Sequence, residues 1–283
     1  MNKKLKNIKN ILKKINSITE LKVGLVLLII LILIAIFAPL IATMDPYYLT
    51  ENLLTEPSSK YLFGTDGLGR DVFSMVIYGA RTSLKVGITV AFISSVIGTL
   101  VGGISGYIGG KTDKIISEIL NMFMMLPTFF LILIVIAIYG SSLTNMIVVM
   151  ALTSWTGTAR LMRGQAISLR ERTFIKSAKT IGESNTRILF KHIIPNGIFP
   201  IISDATMAVS WAILSEAGLS FLGIGDPNIV SWGKIIAHGK IYLPNSWWIC
   251  TFPGVAIVFT VLSFYLIGEG MNRILSPKLN DIN

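Results

Sequence analysis

The sequence has few charged residues, two histidines and a single cysteine. Charged side chains make up 14% of its 283 residues, whereas soluble domains average about 25%. Cys250 alone cannot form a disulfide or a cysteine metal site within the chain. His192 and His238 are far apart and lack an H-E-x-x-H motif, and no G-x-S-x-G motif is present. We therefore expect no catalytic residue and no metal site.

Long apolar runs dominate the chain, which is 52% hydrophobic. A helix that crosses a bilayer needs about 20 such residues. The runs predict an all-α polytopic membrane protein with a transmembrane domain over 23–272. Its six transmembrane helices are expected at about 23–43, 83–108, 118–139, 143–159, 198–222 and 249–268.

Three carboxylates lie within or beside these spans. A charge inside a membrane costs about 2.5–3.5 kcal/mol and usually faces protein or a water-filled path. Asp204 and Glu216 interrupt the fifth span and are therefore candidates to line a translocation path. A structural hydrogen bond is the alternative for both, and for Glu269 a position at the end of the last helix is favoured.

The basic residues indicate the orientation in the membrane. Segment 1–22 carries seven lysines and places Leu5, Ile8, Leu12 and Ile15 at helical spacing, which predicts a basic amphipathic helix on the membrane surface. With this segment and the tail 273–283 in the cytoplasm, 19 of the 25 Lys and Arg residues fall on the cytoplasmic side. Because they flank apolar runs instead of forming one patch, nucleic acid is not an expected partner.

Glycines in and after the second span carry two patterns. Gly98, Gly102 and Gly106 recur every four residues, which favours close packing of a neighbouring helix. The segment 105–112 approaches a phosphate-binding loop, but Ser105 replaces the first glycine and an apolar helix precedes it. We expect no nucleotide to bind there.

Two of the segments that connect the predicted spans contain sequence patterns that predict structure. The outer connection 223–248 contains four aromatic residues typical of a belt at the headgroup level: Trp232, Tyr242, Trp247 and Trp248. In the cytoplasmic connection 160–197, Phe174, Ala178 and Ile181 recur at helical spacing before Gly182. Leu189 and Ile193 begin a second stripe, and Pro195 should end it. This pattern predicts two short helices hinged at Gly182 that present an apolar ridge to a soluble partner.

Three motifs carry a family resemblance. The run Thr173–Gly182, continued by Lys191–Asn196, resembles the "EAA" loop of ABC importer permeases. The outer run Phe63–Phe73, and Glu216–Gly225 with Ser231-Trp-Gly233, are similar to the dipeptide, oligopeptide and nickel permeases, specifically their second, C-type subunit.

The resemblance implies a type I importer permease fold and two sets of functional residues. The implied ATPase-coupling residues are Phe174, Ile175, Lys176, Ser177, Ala178, Lys179, Ile181, Gly182, Glu183, Leu189 and Pro195. The outer-loop motif comprises Gly64, Thr65, Asp66, Gly69, Arg70 and Asp71. It is expected either at the mouth of the path or as a glycine-rich turn with a local Asp–Arg pair. The chain departs from the family at Lys176, where a Glu is usual, and at Ser177, where an Ala is usual.

The same resemblance implies the partners and the solute. It implies a homologous second permease subunit, two cytoplasmic ATPase subunits that bind ATP and Mg²⁺, and an extracytoplasmic solute-binding protein, with no cofactor in this chain. Dipeptides or oligopeptides are the first expected solutes, and nickel or a metal chelate is the second. A secondary transporter is the more remote alternative, since no inverted repeat is evident between the halves.

Overall fold

The computed structural model describes residues 18–275, whose regular structure is helical apart from one isolated bridge between Thr65 and Asp71. The helices are α1 (Thr19–Ile36), α2 (Ala38–Ile41), α3 (Val72–Ile108), α4 (Gly110–Met125), α5 (Thr128–Tyr139), α6 (Leu143–Arg170), α7 (Thr173–Thr180), α8 (Asn185–Ile188), α9 (Ile194–Phe221), α10 (Trp232–Gly239) and α11 (Trp248–Leu275). A π-helical turn, Leu189–Ile193, joins α8 to α9. The predicted surface helix at Leu5, Ile8, Leu12 and Ile15 lies outside the described residues.

Long apolar helices confirm the predicted all-α membrane fold. By length and composition α1, α3, the continuous segment Asn185–Phe221 and α11 can each cross a bilayer. The bent pair α4 and α5 adds a fifth candidate crossing if the two helices are counted as one span. Helix α6 is long enough to cross a bilayer but is less apolar than the other long helices, because serine, threonine and glycine residues interrupt its middle. It occupies the place of the fourth predicted span.

Helix α3 begins eleven residues before the predicted span 83–108, at Val72. Asp71 caps its N-terminus, since the Asp71 carboxylate accepts a hydrogen bond from the Ser74 amide at 2.9 Å. The first turns are buried at Val72, Met75 and Ala80. The polar residues near Arg81 lower the local hydropathy without ending the helix, so apolarity alone placed its start too late.

The third predicted span, 118–139, is two helices that meet at 80°. Pro127 has no amide proton, and its ring disfavours helical geometry at the preceding residue. Leu126 is accordingly extended, at φ −84° and ψ 127°. The chain therefore turns sharply within its apolar run.

Helices α3 and α6 form the most extensive contact of the fold. Gly98, Gly102 and Gly106 all face α6, and a Cβ at Gly98 would lie 2.7 Å from the Trp155 carbonyl oxygen. At Gly102 a Cβ would meet the backbone of Ala159 more closely still. Only glycine permits the two backbones to approach this far.

The outer ends of the helices are joined by two buried tryptophans. The Trp232 indole donates to the Val76 carbonyl at 2.9 Å, and the Trp248 indole donates to the Thr65 carbonyl at 3.1 Å. Both side chains are at most 2% exposed. The prediction of a headgroup belt is therefore wrong for these two, because their polar atoms find partners inside the protein, whereas Trp247 is half exposed.

The first and last helices pack together. A Cβ at Gly24 would lie 2.8 Å from the Ser263 carbonyl oxygen, so α1 lies close against α11. Arg273 contacts Glu20 at 2.8 Å and Glu269 at 3.4 Å. Glu269 thus occupies the helix-end position that was favoured for it.

Candidate functional site

The connection 160–197, predicted to be cytoplasmic, folds as helices, and we call Thr173–Ile193 the coupling region. Helix α6 runs on to Arg170, and α7 follows after a turn. Gly182 ends this helix with φ +81°, a left-handed conformation that favours glycine. Ser184 then caps α8 by accepting from the Arg187 amide. The hinge residue thus stands at the break between the two helices.

One face of the coupling region is buried against the membrane helices. The cluster consists of Tyr107, Met162, Ala166, Ile175, Ala178, Ile188, Leu189, Ile193 and Ile201. Because Ile175 is 0% exposed, this face anchors the region to the permease body. Ala178 therefore points inward, which corrects the predicted outward ridge of Phe174, Ala178 and Ile181.

Three large apolar side chains of the coupling region are exposed. Phe174 is 45%, Ile181 79% and Phe190 53% exposed. Ile181 does not continue the stripe of α7, because the helix ends one residue earlier, at Thr180. These three residues, which we call the exposed apolar set, are available to a soluble partner.

Polar contacts fix the hinge. Glu183 contacts His192 at 2.9 Å and Lys191 at 3.8 Å, and its amide donates to the Ala178 carbonyl at 3.1 Å. Lys176, the departure from the family Glu, contacts Glu171 at 3.4 Å on the surface. Two short helices are therefore held in one arrangement relative to each other.

Pro195 does not end the second stripe, contrary to the prediction. The Ile194 amide donates to the Leu189 carbonyl five residues earlier, which makes this turn wider than an α-helical one. Pro195 follows this wide turn. In regular α-helical geometry its ring would lie against the Lys191 carbonyl. The helical segment thus continues from α8 into α9 without a break.

The outer-loop motif folds into a buried turn with a local Asp–Arg pair. Asp66 accepts from the Leu68 and Arg70 amides, both at 2.9 Å, and contacts the Arg70 guanidinium at 2.6 Å. Thr65, Asp66 and Asp71 are at most 3% exposed. Only Leu68, at the tip, is prominently exposed, at 53%.

Glycines let neighbouring segments close over this turn. Gly64 and Gly69 have φ of +73° and +77°. A Cβ at Gly64 would clash with Trp248, and one at Gly69 would clash with the Thr50 carbonyl. The motif thus joins residues 50–71 to the start of α11.

Two basic side chains of α10 lie near the turn. Burial lowers the pKa of His238, and the positive charges of Arg70 and Lys234 lower it further. Burial also lowers the pKa of Lys234, with a smaller contribution from Arg70. Burial and the nearby positive charges both favour the neutral form of the His238 imidazole.

Glu216 is enclosed by protein. One carboxylate oxygen accepts from the Ser220 and Ser231 hydroxyls, both at 2.7 Å. The side chain is 2% exposed, and its second oxygen has no partner among the described residues. Gly233 lies against Ala217, so the two later family motifs contact each other.

Asp204 instead borders an open cleft of about 370 Å³ between α6 and α9, beside the bend of α4 and α5. Its carboxylate accepts from the Thr158 hydroxyl at 2.7 Å. The two carboxylates that the sequence singled out are therefore not in one site. Asp204 faces open space, whereas Glu216 joins helix α9 to the outer connection.

One ion pair was missed by sequence reasoning. Arg163 donates to both carboxylate oxygens of Asp113, at 2.6 and 2.7 Å. Asp113 also accepts from Ser105, which places a negative charge where a phosphate-binding loop would need a positive one. A separation of 50 residues gives no local pattern that could have revealed it.

Among residues 18–275, no group of three or more His, Cys, Asp and Glu side chains is arranged to hold a metal ion.

Two family models match the chain. The model described as "Binding-protein-dependent transport system inner membrane component" matches residues 96–281. The model of the N-terminal transmembrane domain of oligopeptide transport permease C matches residues 22–58.

Curated relatives are similar over most of their length. The dipeptide transport system permease protein DppC of Alkalihalophilus pseudofirmus is 41% identical, with 91% of this chain and 85% of the relative covered. The oligopeptide transport system permease protein OppC of Bacillus subtilis is 36% identical, with the same coverage of each. The glutathione transport system permease protein GsiD of Escherichia coli is 39% identical and covers 87% of this chain and 82% of the relative.

A solved structure shares the fold. An inward-facing structure of the MetNI methionine ABC transporter superposes with a TM-score of 0.56, covering 71% of this chain and 94% of the matched chain. At 21% identity this likeness establishes the fold alone.

Proposed function

This chain belongs to the family of binding-protein-dependent transport system inner membrane components, as a C-type ABC importer permease, and we propose that it forms half of a pathway for the uptake of dipeptides or oligopeptides. The relatives are permeases of dipeptide, oligopeptide and glutathione transport systems, and this supports the choice of solute. Nickel is not favoured, because these relatives all carry peptides. The chain itself is a transporter subunit and not an enzyme.

The second half of the pathway is a homologous permease subunit. In the isolated chain, the bend between α4 and α5 leaves Met125 82% and Phe130 62% exposed. Met124 and Thr128 of the same bend line the cleft that contains Asp204. A second permease packed against this side closes the cleft into a path between the two subunits.

ATP hydrolysis takes place in two cytoplasmic partner subunits, which bind ATP and Mg²⁺. The exposed apolar set docks onto them, while the buried face anchors the coupling region to α3, α6 and α9. When the ATPases close, the coupling region moves as a rigid body. This movement switches the transmembrane helices between inward-facing and outward-facing arrangements. An extracytoplasmic solute-binding protein delivers the peptide at the other side.

The orientation follows from the distribution of charge. Both termini are cytoplasmic in the cell membrane, since this places 19 of the 25 Lys and Arg residues inside. A reporter enzyme that is active only in the cytoplasm, fused at residue 283, should be active, and the same fusion within residues 223–248 should not.

Reconstituted transport tests the function. The tagged chain should copurify with a second permease and two ATPase subunits. Proteoliposomes of this complex should accumulate a labelled dipeptide only with ATP and the solute-binding protein. Uptake by this chain alone, driven by an ion gradient, would instead support a secondary transporter and refute the proposal.

A further inference from the structure

The cleft beside Asp204 is a polar recess in an apolar part of the protein. It is lined by Met124, Thr128, Thr153, Ser154, Thr156, Gly157, Thr158, Asp204, Met207, Ala208 and Trp211. A Cβ at Gly157 would meet nothing within 4 Å. The cleft therefore has room for a ligand along α6.

Three of the hydroxyl groups that line the cleft already donate their protons to acceptors of the protein. The Thr158 hydroxyl donates to the Asp204 carboxylate at 2.7 Å, and the Thr153 hydroxyl donates to the Val149 carbonyl at 2.9 Å. The Ser154 hydroxyl donates to the Met150 carbonyl. A hydroxyl has one proton and two lone pairs, so these three groups offer only acceptors to a ligand.

Asp204 adds an uncompensated negative charge. Its Oδ2 atom accepts from Thr158, while within residues 18–275 no basic side chain lies within 4 Å of its carboxylate. No Lys, Arg or His belongs to the lining. Trp211, which is 39% exposed there, supplies an aromatic ring that attracts cations. The Trp211 indole and the Thr128 and Thr156 hydroxyls remain as neutral donors in the lining, but no cationic side chain is there to hold an anionic ligand beside Asp204.

We propose that the Asp204 cleft binds the protonated amino group of the transported peptide during its passage. This inference rests on the proposed peptide function and assigns a site within that pathway. The ammonium group donates to the Asp204 carboxylate and to the lone pairs of Thr153 and Ser154. Its adjoining carbon atoms lie against Trp211 and the open space at Gly157.

A binding experiment tests the site without the solute-binding protein. Alanylalanine and N-acetyl-alanylalanine are titrated onto the purified complex in nanodiscs, and binding is followed by calorimetry. Alanylalanine should bind more tightly than the acetylated peptide, and Asp204→Asn should weaken its binding about tenfold or more, because a charge-assisted hydrogen bond is lost. Asp204→Glu should retain part of the affinity.

Ser210→Ala is the matched control on α9, because the Ser210 hydroxyl donates to the Val261 carbonyl of α11. This variant should bind both peptides like the wild type. Absence of alanylalanine binding to the wild-type complex, equal binding of the two peptides, or an unchanged affinity in Asp204→Asn would each overturn the site. Displacement of alanylalanine by NaCl at the same concentration as by methylammonium chloride would overturn the assignment to an organic ammonium.

Transport separates this inference from the proposed function. In the complete system, Asp204→Asn should lower alanylalanine uptake per ATP hydrolysed, while stimulation of ATP hydrolysis by the solute-binding protein persists. Wild-type uptake in Asp204→Asn would refute the site and leave the permease function intact. A wild-type complex without ATP-driven uptake would refute the permease function itself.

Discussion

Ile181 offers the sharpest test of how the coupling region engages the ATPases. Its side chain is 79% exposed, although Ala178 and Ile188 on either side of the hinge are buried. Full burial of an isoleucine side chain contributes about 1.5–3 kcal/mol. Covering the exposed fraction on docking should therefore contribute about 1–2 kcal/mol.

Ile181→Asp should remove this contribution and place a charge in the interface. Loss of the apolar burial alone corresponds to about a 5- to 30-fold weaker association, and desolvation of the aspartate weakens it further. Phe174→Asp should act in the same direction with a smaller effect, since 45% of that side chain is exposed. Insertion into the membrane should be unchanged, because neither residue belongs to the buried cluster.

The assay titrates purified ATPase subunits onto the permease pair in nanodiscs and measures both their association and the uptake per ATP hydrolysed. Leu68→Asp is the control, because Leu68 is 53% exposed in the loop that precedes α3, away from the coupling region. It should leave ATPase association unchanged. An affinity of Ile181→Asp within twofold of the wild type would refute the role assigned to the exposed apolar set.

Three further predictions concern stability. Gly102→Leu should lower the thermal midpoint of the complex, because its side chain would meet the Ala159 backbone and overpacking costs about 1–3 kcal/mol or more. Gly164→Leu should lower the midpoint less, because a Cβ there meets nothing within 4 Å. Equal losses in the two variants would contradict this packing. Asp71→Ala should cost about 1–3 kcal/mol in chemical unfolding, since it removes the cap of α3, and Asp71→Asn should cost less. Burial, with Arg70 and Lys234, lowers the pKa of His238 below 6.5, so the unfolded chain takes up the proton first as the pH falls. The contribution of His238 to stability is therefore fully present above pH 6.5 and decreases as the pH falls toward the folded pKa. Thermal midpoints measured between pH 7.5 and 5 should show a smaller decrease in His238→Gln than in the wild type.

Apolar run length was sufficient to predict the fold class but not the helix geometry. Water does not compete for backbone groups in a membrane, so every long run there becomes helical whatever its finer pattern. Pro127 was visible in the sequence, yet hydropathy averages over it, and the 80° bend became evident only in the structure. The start of α3 was missed for the same reason, because the Asp71 cap carries no hydropathy signal.

Side-chain direction at the candidate site was predicted less well. The spacing of Phe174 and Ala178 was correctly interpreted as helical, but spacing alone cannot tell which stripe of a short helix faces the protein. That choice depends on Tyr107 and Met162, which are distant in sequence. Asp204 and Glu216 looked alike in sequence for a similar reason, since the serine partners of Glu216 and the open space beside Asp204 arise from tertiary packing.

Helix α6 connects the two regions to which function is assigned. It is one unbroken helix of 28 residues, about 42 Å long, and its C-terminal end carries the turn into α7. Its buried side packs against the glycines of α3, where Thr158 lies beside Gly98, and Gly157 and Thr158 also border the Asp204 cleft. A close-packed helix transmits displacement along its axis instead of absorbing it. If ATPase closure pushes the coupling region as proposed, the wall of the Asp204 cleft should therefore move together with α3.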